Sequence, residues 1–285
     1  MARDLALAHL TTITLSPPEM IRLAARTGFQ AVGLRLIRVT PTSPGYPLMD
    51  DPASMRATRS ALRETGLRVH DIEFVKIEPG LDVSSLESFC AAGAALGASR
   101  IIAAPYDPDL GRLADRYAAL CALAAGYGLG VVLEFFPWTV VPGLADALEI
   151  RRRAGAPANG GVLVDALHFY RSGSRLADLD GQDASVLPFL HLCDGPARGG
   201  DTLQERLLEA RAERLAPGDG ALALRALIEK MPVGIPISLE VPMDRMTAEC
   251  GVEAVARHVH QATIHLLGSL DGSSSPPAPN STPTS

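Results

Sequence analysis

Four times along this chain a helix-like stretch ends at a glycine and runs straight into an apolar segment: TGF-QAVGLRL, TGL-RVHDIEF, LGA-SRIIAAP and YGL-GVVLEFF. Glycine closes a helix in the left-handed conformation without steric cost, and a run rich in Val, Ile and Leu suits a strand buried on both faces. Repeated, this punctuation predicts βα units with parallel strands. Eight such strands can be read, at 5–10, 31–37, 68–75, 100–105, 130–136, 161–165, 189–194 and 236–241. Eight strands with intervening helices predict an α/β fold, a closed (β/α)8 TIM barrel. An open doubly wound sheet would need a GxGxxG or GxxxxGK[ST] loop after its first strand, and neither is present.

Helix starts agree with this division. Ser16-Pro17-Pro18-Glu19 combines a serine cap, proline in the first turn and a glutamate three residues on. Ser84-Ser85-Leu86-Glu87 is a similar start, its helix ending at Gly97, and residues 110–125 carry Leu and Ala at helical spacing. The 285 residues, 47% apolar, suffice for one large barrel, expected over residues 1–267. Residues 268–285, GSLDGSSSPPAPNSTPTS, have almost nothing large to bury and are expected to form a disordered tail.

A net charge of -6 with scattered basic residues argues against a nucleic-acid partner. Cys90, Cys121, Cys193 and Cys250 form no CxxC pair, which excludes a thiolate zinc site of that type and points to a reducing compartment. No signal peptide is evident, and no apolar run approaches the roughly 20 residues of a membrane span. The expectation is a soluble cytoplasmic protein with no membrane partner. A homo-oligomer is compatible with the sequence.

In a barrel of this kind the C-terminal strand ends form the functional rim. Strand five ends in Glu134, strand six in Asp165, strand seven carries His191, and strand eight ends in Glu240. A carboxylate inside a run such as VVLEFF or ISLEVP is costly unless paired or ligated. Four neighbouring strands delivering three carboxylates and one imidazole to one face predict a centre for one divalent ion. Oxygen-rich ligation suits Mn²⁺ or Mg²⁺, with Co²⁺ or Zn²⁺ compatible. Such an ion would act as a Lewis acid on a carbonyl or hydroxyl, with Glu134 and Glu240 placed to serve as catalytic base and acid.

Further candidates surround this set. His168, three residues after Asp165, is expected either to contact substrate or to partner Asp165 or a helix end, and Asp165 could also cap the turn. Asp194 is expected either to orient the His191 ring or to cap a loop. His9 and Glu73 stand alone, and Trp138 and Phe136 belong either to the pocket or to the core. The arginine-rich excursion 194–220 is expected to fold over the site as a mobile lid, with Arg198 or Arg214 gripping a hydroxylated or carboxylated substrate.

At VVLEFFP, VLVDALHF, HLCDGP, APGDG and ISLEVP the chain resembles the xylose isomerase-like TIM-barrel superfamily, the sugar phosphate isomerase/epimerase group, over roughly residues 4–267. The resemblance implies that Glu134, Asp165, His191 and Glu240 bind one divalent metal and that His168 contacts substrate. It implies an isomerase or epimerase of a small polyhydroxylated carbonyl compound, working through an enediolate. A dehydratase of the 3-dehydroshikimate or inosose type is the alternative, and a non-catalytic sugar-binding barrel or a subunit of a larger enzyme is a second. The DNA-repair members of the superfamily need several additional histidines, whereas here the only histidine ending a strand in the first half is His9, and His70 sits inside its strand.

Overall fold

Eight parallel strands close into one barrel in the computed structural model, which describes residues 3–271. They are β1 Leu5–Leu7, β2 Ala31–Arg35, β3 Arg68–Ile77, β4 Arg100–Pro105, β5 Gly130–Glu134, β6 Gly160–Asp165, β7 Leu190–Leu192 and β8 Ile237–Leu239. Each pairs with its sequence neighbour, and β8 returns to β1 through Leu5↔Ile237. Helices α1 Pro17–Thr27, α2 Pro52–Thr65, α3 Glu87–Leu96, α4 Leu110–Ala125, α5 Leu144–Arg153 and α6 Ala166–Arg171 follow β1 to β6 in turn. Two helices, α7 Leu203–Ala212 and α8 Leu224–Lys230, separate β7 from β8, and α9 Asp244–Cys250 and α10 Val252–Asp271 close the chain. No helix among the described residues is long and apolar enough to cross a membrane.

The local signals act as expected. Gly28, Gly66, Gly97 and Gly128 all take positive φ, from 70° to 98°, turning each helix end toward the next strand. Ser16 and Glu19 form a reciprocal capping box at α1. The start read at Ser84 is a 3-10 turn instead, capped by Asp82, whose carboxylate accepts from the Ser84 N–H. The first, seventh and eighth strands are shorter than expected. His9 consequently lies on a 3-10 turn, and Glu240 stands just beyond β8.

Helix α10 runs to Asp271, past the expected tail boundary at residue 268. Leu266, Leu267 and Leu270 pack against the core, and Arg225 donates to the Ser269 carbonyl, which holds this last turn. The rest of the expected tail, 272–285, lies outside the described residues.

Register decides what points inward, because paired residues of parallel strands share a face and alternate residues repeat it. The barrel interior is filled by a small apolar cluster including Phe74, Ile102, Val132, Leu163 and Phe189. Glu73 pairs with Ile102, Glu134 with Leu163, Asp165 with His191, and His191 with Ser238. Glu134, Asp165 and Glu240 each lie two residues beyond an inward position. Every member of the predicted metal set therefore projects inside the barrel, one layer above its apolar plug.

Candidate metal centre

Glu134 and Asp165 are the last residues of β5 and β6, His191 is the middle residue of β7, and Glu240 follows β8. All four are buried. His191 Nδ1 stands 3.9 Å from Glu134 Oε1, 4.0 Å from Asp165 Oδ2 and 3.7 Å from Glu240 Oε2. One ligand-type atom from each of the four lies within 4.8 Å of all the others, so together they can hold a metal ion. Atoms sharing an ion at about 2.1 Å sit about 3.0–3.4 Å apart, and a contraction of about 1 Å or less would bring the three His191–carboxylate spacings into that range.

The donor atoms fit such an ion. Glu134 Oε1 and both ring nitrogens of His191 are buried without a hydrogen-bond partner, a costly condition for groups that a cation would satisfy. The charge also fits. Three carboxylates face one guanidinium, Arg214, whose Nη1 donates to Asp165 Oδ2 at 2.6 Å and whose Nη2 lies 2.9 Å from Glu240 Oε2. Two negative charges are left, which one divalent ion balances. Burial, reinforced by the neighbouring Glu240 and Asp165, pushes the Glu134 carboxyl well above the usual range. Burial works the same way on Asp165, but Arg214, the two neighbouring imidazoles and the His168 N–H together outweigh it and hold that carboxyl below the ordinary value.

The turn after β6 is both a cap and part of the site. Asp165 Oδ1 accepts from the His168 N–H at 3.0 Å, starting α6, while Oδ2 faces the cluster. His168 packs edge-on against Phe136 and Trp138, with ring centroids 4.8 Å and 5.2 Å away. Its Nε2 is 4.0 Å from Glu134 Oε1, and its Nδ1 has no partner. Burial brings its pKa down to about 4 despite Asp165, so the ring is neutral at pH 7. Above this layer opens a cavity of about 260 Å³ lined by Arg35, Tyr106, Phe136, Trp138, His168, Arg214 and Glu240, among others. Trp138 Nε1 is a further buried donor without a partner. Aromatic walls with a few converging polar atoms suit a small polar ligand.

Two expectations need correction, and the choice left open at Asp194 is decided. Arg198 does not reach the site. Its side chain is 81% exposed and pairs with Asp201 at 2.8 Å, because it precedes α7 on the outer surface. Arg214 does reach it, but as the buried partner of Asp165 and Glu240 and not as a loose hand on a lid. The 194–220 excursion is pinned: Asp194 accepts from the N–H groups of Gly195, Gly218 and Leu222. Asp194 is thus a loop cap, and it does not hold the His191 ring.

His9 is structural as well. Its Nδ1 accepts from the Arg35 N–H at 2.9 Å and its Nε2 donates to the Leu15 carbonyl at 3.0 Å, which fixes one neutral tautomer. Burial pushes its pKa down to about 4, against an ordinary value near 6.5. Between those values the unfolded chain binds more protons than the folded one, so stability falls as pH falls from about 6.5 toward 4. The loss is about 1.4 kcal/mol per pH unit at most. Thermal melts across this window should show a shallower fall in His9→Gln, and an unchanged slope would remove His9 from the effect.

Sequence reasoning did not single out Arg35. It ends β2 and pairs with Glu73 of β3 at 3.2 Å, both buried. The signal was available, since a charged residue inside AVGLRLI is the same anomaly that marked Glu134 and Glu240.

A family model described as xylose isomerase-like TIM barrel matches residues 21–262, and the chain belongs to that family. A curated relative, inosose isomerase of Halalkalibacterium halodurans, is 32% identical over 111 residues. That match spans 38% of this chain and 37% of the relative's length. Among solved structures, the IOLI protein with a bound zinc atom superimposes with a TM-score of 0.76 at 18% identity, covering 94% of this chain and 99% of that one. The probable 3-DHS dehydratase AsbF of Bacillus anthracis does so with a TM-score of 0.71 at 13% identity, covering 92% and 98%. These structural likenesses establish a shared fold.

Proposed function

We propose that the protein is a divalent-metal-dependent isomerase or epimerase of a small polyhydroxylated carbonyl compound. The observation that carries this reading is the buried Glu134–Asp165–His191–Glu240 set, with unpartnered donor atoms turned toward one another beneath a ligand-sized cavity. The stretch similar to inosose isomerase supports a cyclic polyol ketone or a keto-sugar as substrate.

Glu134, Asp165, His191 and Glu240 would hold the ion, with Mn²⁺ or Mg²⁺ favoured by the three carboxylates. When bound, the ion supplies positive charge that polarises a substrate oxygen and acidifies the adjacent C–H. Glu134 and Glu240, on non-adjacent strands, flank the reacting carbons. One takes the proton from the carbon beside the carbonyl and keeps it, and the other, in its protonated form, delivers its own proton to the neighbouring carbon or the opposite face. Neutral His168 offers a hydrogen bond to a substrate oxygen, while Phe136 and Trp138 exclude water from that side. Arg214 keeps Asp165 ionised and Glu240 oriented.

The test is incubation of metal-loaded protein in D₂O with keto-sugars, inososes and 3-dehydroshikimate, read by mass spectrometry. Deuterium uptake into a polyol ketone without loss of mass as water is the expected result. Loss of one water marks the dehydratase alternative, and no exchange with any polyol ketone overturns the enzymatic reading in favour of a binding barrel.

A further inference from the structure

Across the barrel from the metal set, β2 and β3 carry a second buried polar pair that the proposed chemistry does not use. Arg35 and Glu73 stand opposite each other in register, with an Nη2 to Oε2 distance of 3.2 Å and side chains 8% and 3% exposed. The pairing is incomplete on both sides. Arg35 Nε and Glu73 Oε1 are buried and have no partner. Arg35 lines the same cavity as His168, Arg214 and Glu240, and Glu73 is paired with it on the next strand.

The arginine is held in place. Its N–H is bound by His9 Nδ1, its carbonyl accepts from the Tyr46 N–H at 3.0 Å, and the His9 and Tyr46 rings stack at 4.9 Å. With its backbone fixed, its guanidinium tied to Glu73 and a donor to spare on a cavity wall, Arg35 suits a ligand oxygen. The charge of that oxygen is also constrained. Glu73 already balances Arg35, so the pair has no net positive charge left to neutralise a carboxylate or phosphate. A neutral hydroxyl needs none.

We infer that Arg35 is a specificity-determining residue that binds a neutral hydroxyl at the end of the substrate remote from the metal set, with Glu73 as its positioning residue. This rests on the proposed function, because it presumes a polyol ketone in the cavity. The substrate then spans the barrel mouth, its reacting carbons over β5–β8 and a distal hydroxyl against β2. Substrates without that hydroxyl leave a buried donor unpaired, and the site discriminates against them by about the worth of one hydrogen bond.

The test compares an inosose with its monodeoxy analogues as substrates for deuterium uptake. The expected result in wild type is a loss of about tenfold or more in kcat/KM for one particular deoxy analogue, which corresponds to one good hydrogen bond. In Arg35→Met/Glu73→Leu, which replaces the buried pair with apolar volume, the intact inosose loses about as much. The loss falls mainly on KM, and the discrimination against that analogue disappears. Arg35→Lys, which keeps a charge for Glu73 but not the forked donors, is the second variant should the double one not fold. It should raise KM at least threefold and blunt the discrimination. Equal rates for all analogues in wild type, or discrimination that survives in the variants, would overturn the inference while leaving the proposed function standing. No exchange with any polyol ketone in wild type would remove both.

Discussion

Changing His191 to alanine, or Glu240 to glutamine, should empty the metal centre and abolish deuterium exchange while leaving the barrel folded. Elemental analysis of wild type should find about one divalent ion per chain. Each variant should hold it more than about 100-fold less tightly, given that even outer partners of metal ligands are worth 10–100-fold. The two substitutions act differently. His191→Ala removes the atom that sits 3.7–4.0 Å from all three carboxylates and is itself unpartnered. Glu240→Gln keeps the shape but removes one of the three negative charges, leaving the set with a net charge of minus one after Arg214 is counted. A divalent ion is then no longer balanced. Full retention of the ion by both variants would sink the assignment of these residues as a metal centre.

The second large effect is expected at Arg214. Its guanidinium is almost fully buried, with Nε on the Ala210 carbonyl at 2.8 Å, Nη1 on Asp165 and on the Glu240 carbonyl, and Nη2 beside Glu240 Oε2. Arg214→Met preserves much of the volume but strands two buried carboxylates. Breaking a buried pair from one side costs about 3–5 kcal/mol, because the partner is left uncompensated in low dielectric. For a chain of this size that is a melting temperature lower by about 6–20 °C in protein treated with a chelator. Saturating divalent ion should recover part of the loss, since it supplies positive charge at the same carboxylates. Differential scanning calorimetry with and without chelator checks both halves. An unchanged melting temperature in chelated protein would show that the pair contributes nothing to stability.

Both effects come from burying like charges together, and that cost is what made the site readable. Glu134 in VVLEFF and Glu240 in ISLEVP are each anomalous within their own strand, because a carboxylate there has no local route to water. The same anomaly at Arg35 went unused because a single cation in a strand has no neighbours in sequence to explain it. Asp165 could be read in two ways from LVDALHF, and its two oxygens perform both roles: one caps α6, the other faces His191.

The failures lie where sequence distance hides the partner. Arg198 and Arg214 looked equivalent in a long arginine-rich excursion, yet one pairs with Asp201 three residues away and the other with Asp165, 49 residues away. Asp194 was open to two roles, orienting His191 or capping a loop, and only the structure decides for the cap, its oxygens accepting from Gly218 and Leu222, 24 and 28 residues on.

The sequence by itself determined the barrel, its glycine-bounded βα units and the four residues whose polarity is out of place in their strands. These are consequences of backbone conformation and burial, which act residue by residue along the chain. Only the tertiary structure decided which charges neutralise which: Arg214 against Asp165 and Glu240, and Arg35 against Glu73. Coulomb attraction and hydrogen bonding depend on distance in space, and closure of the barrel is what sets those distances.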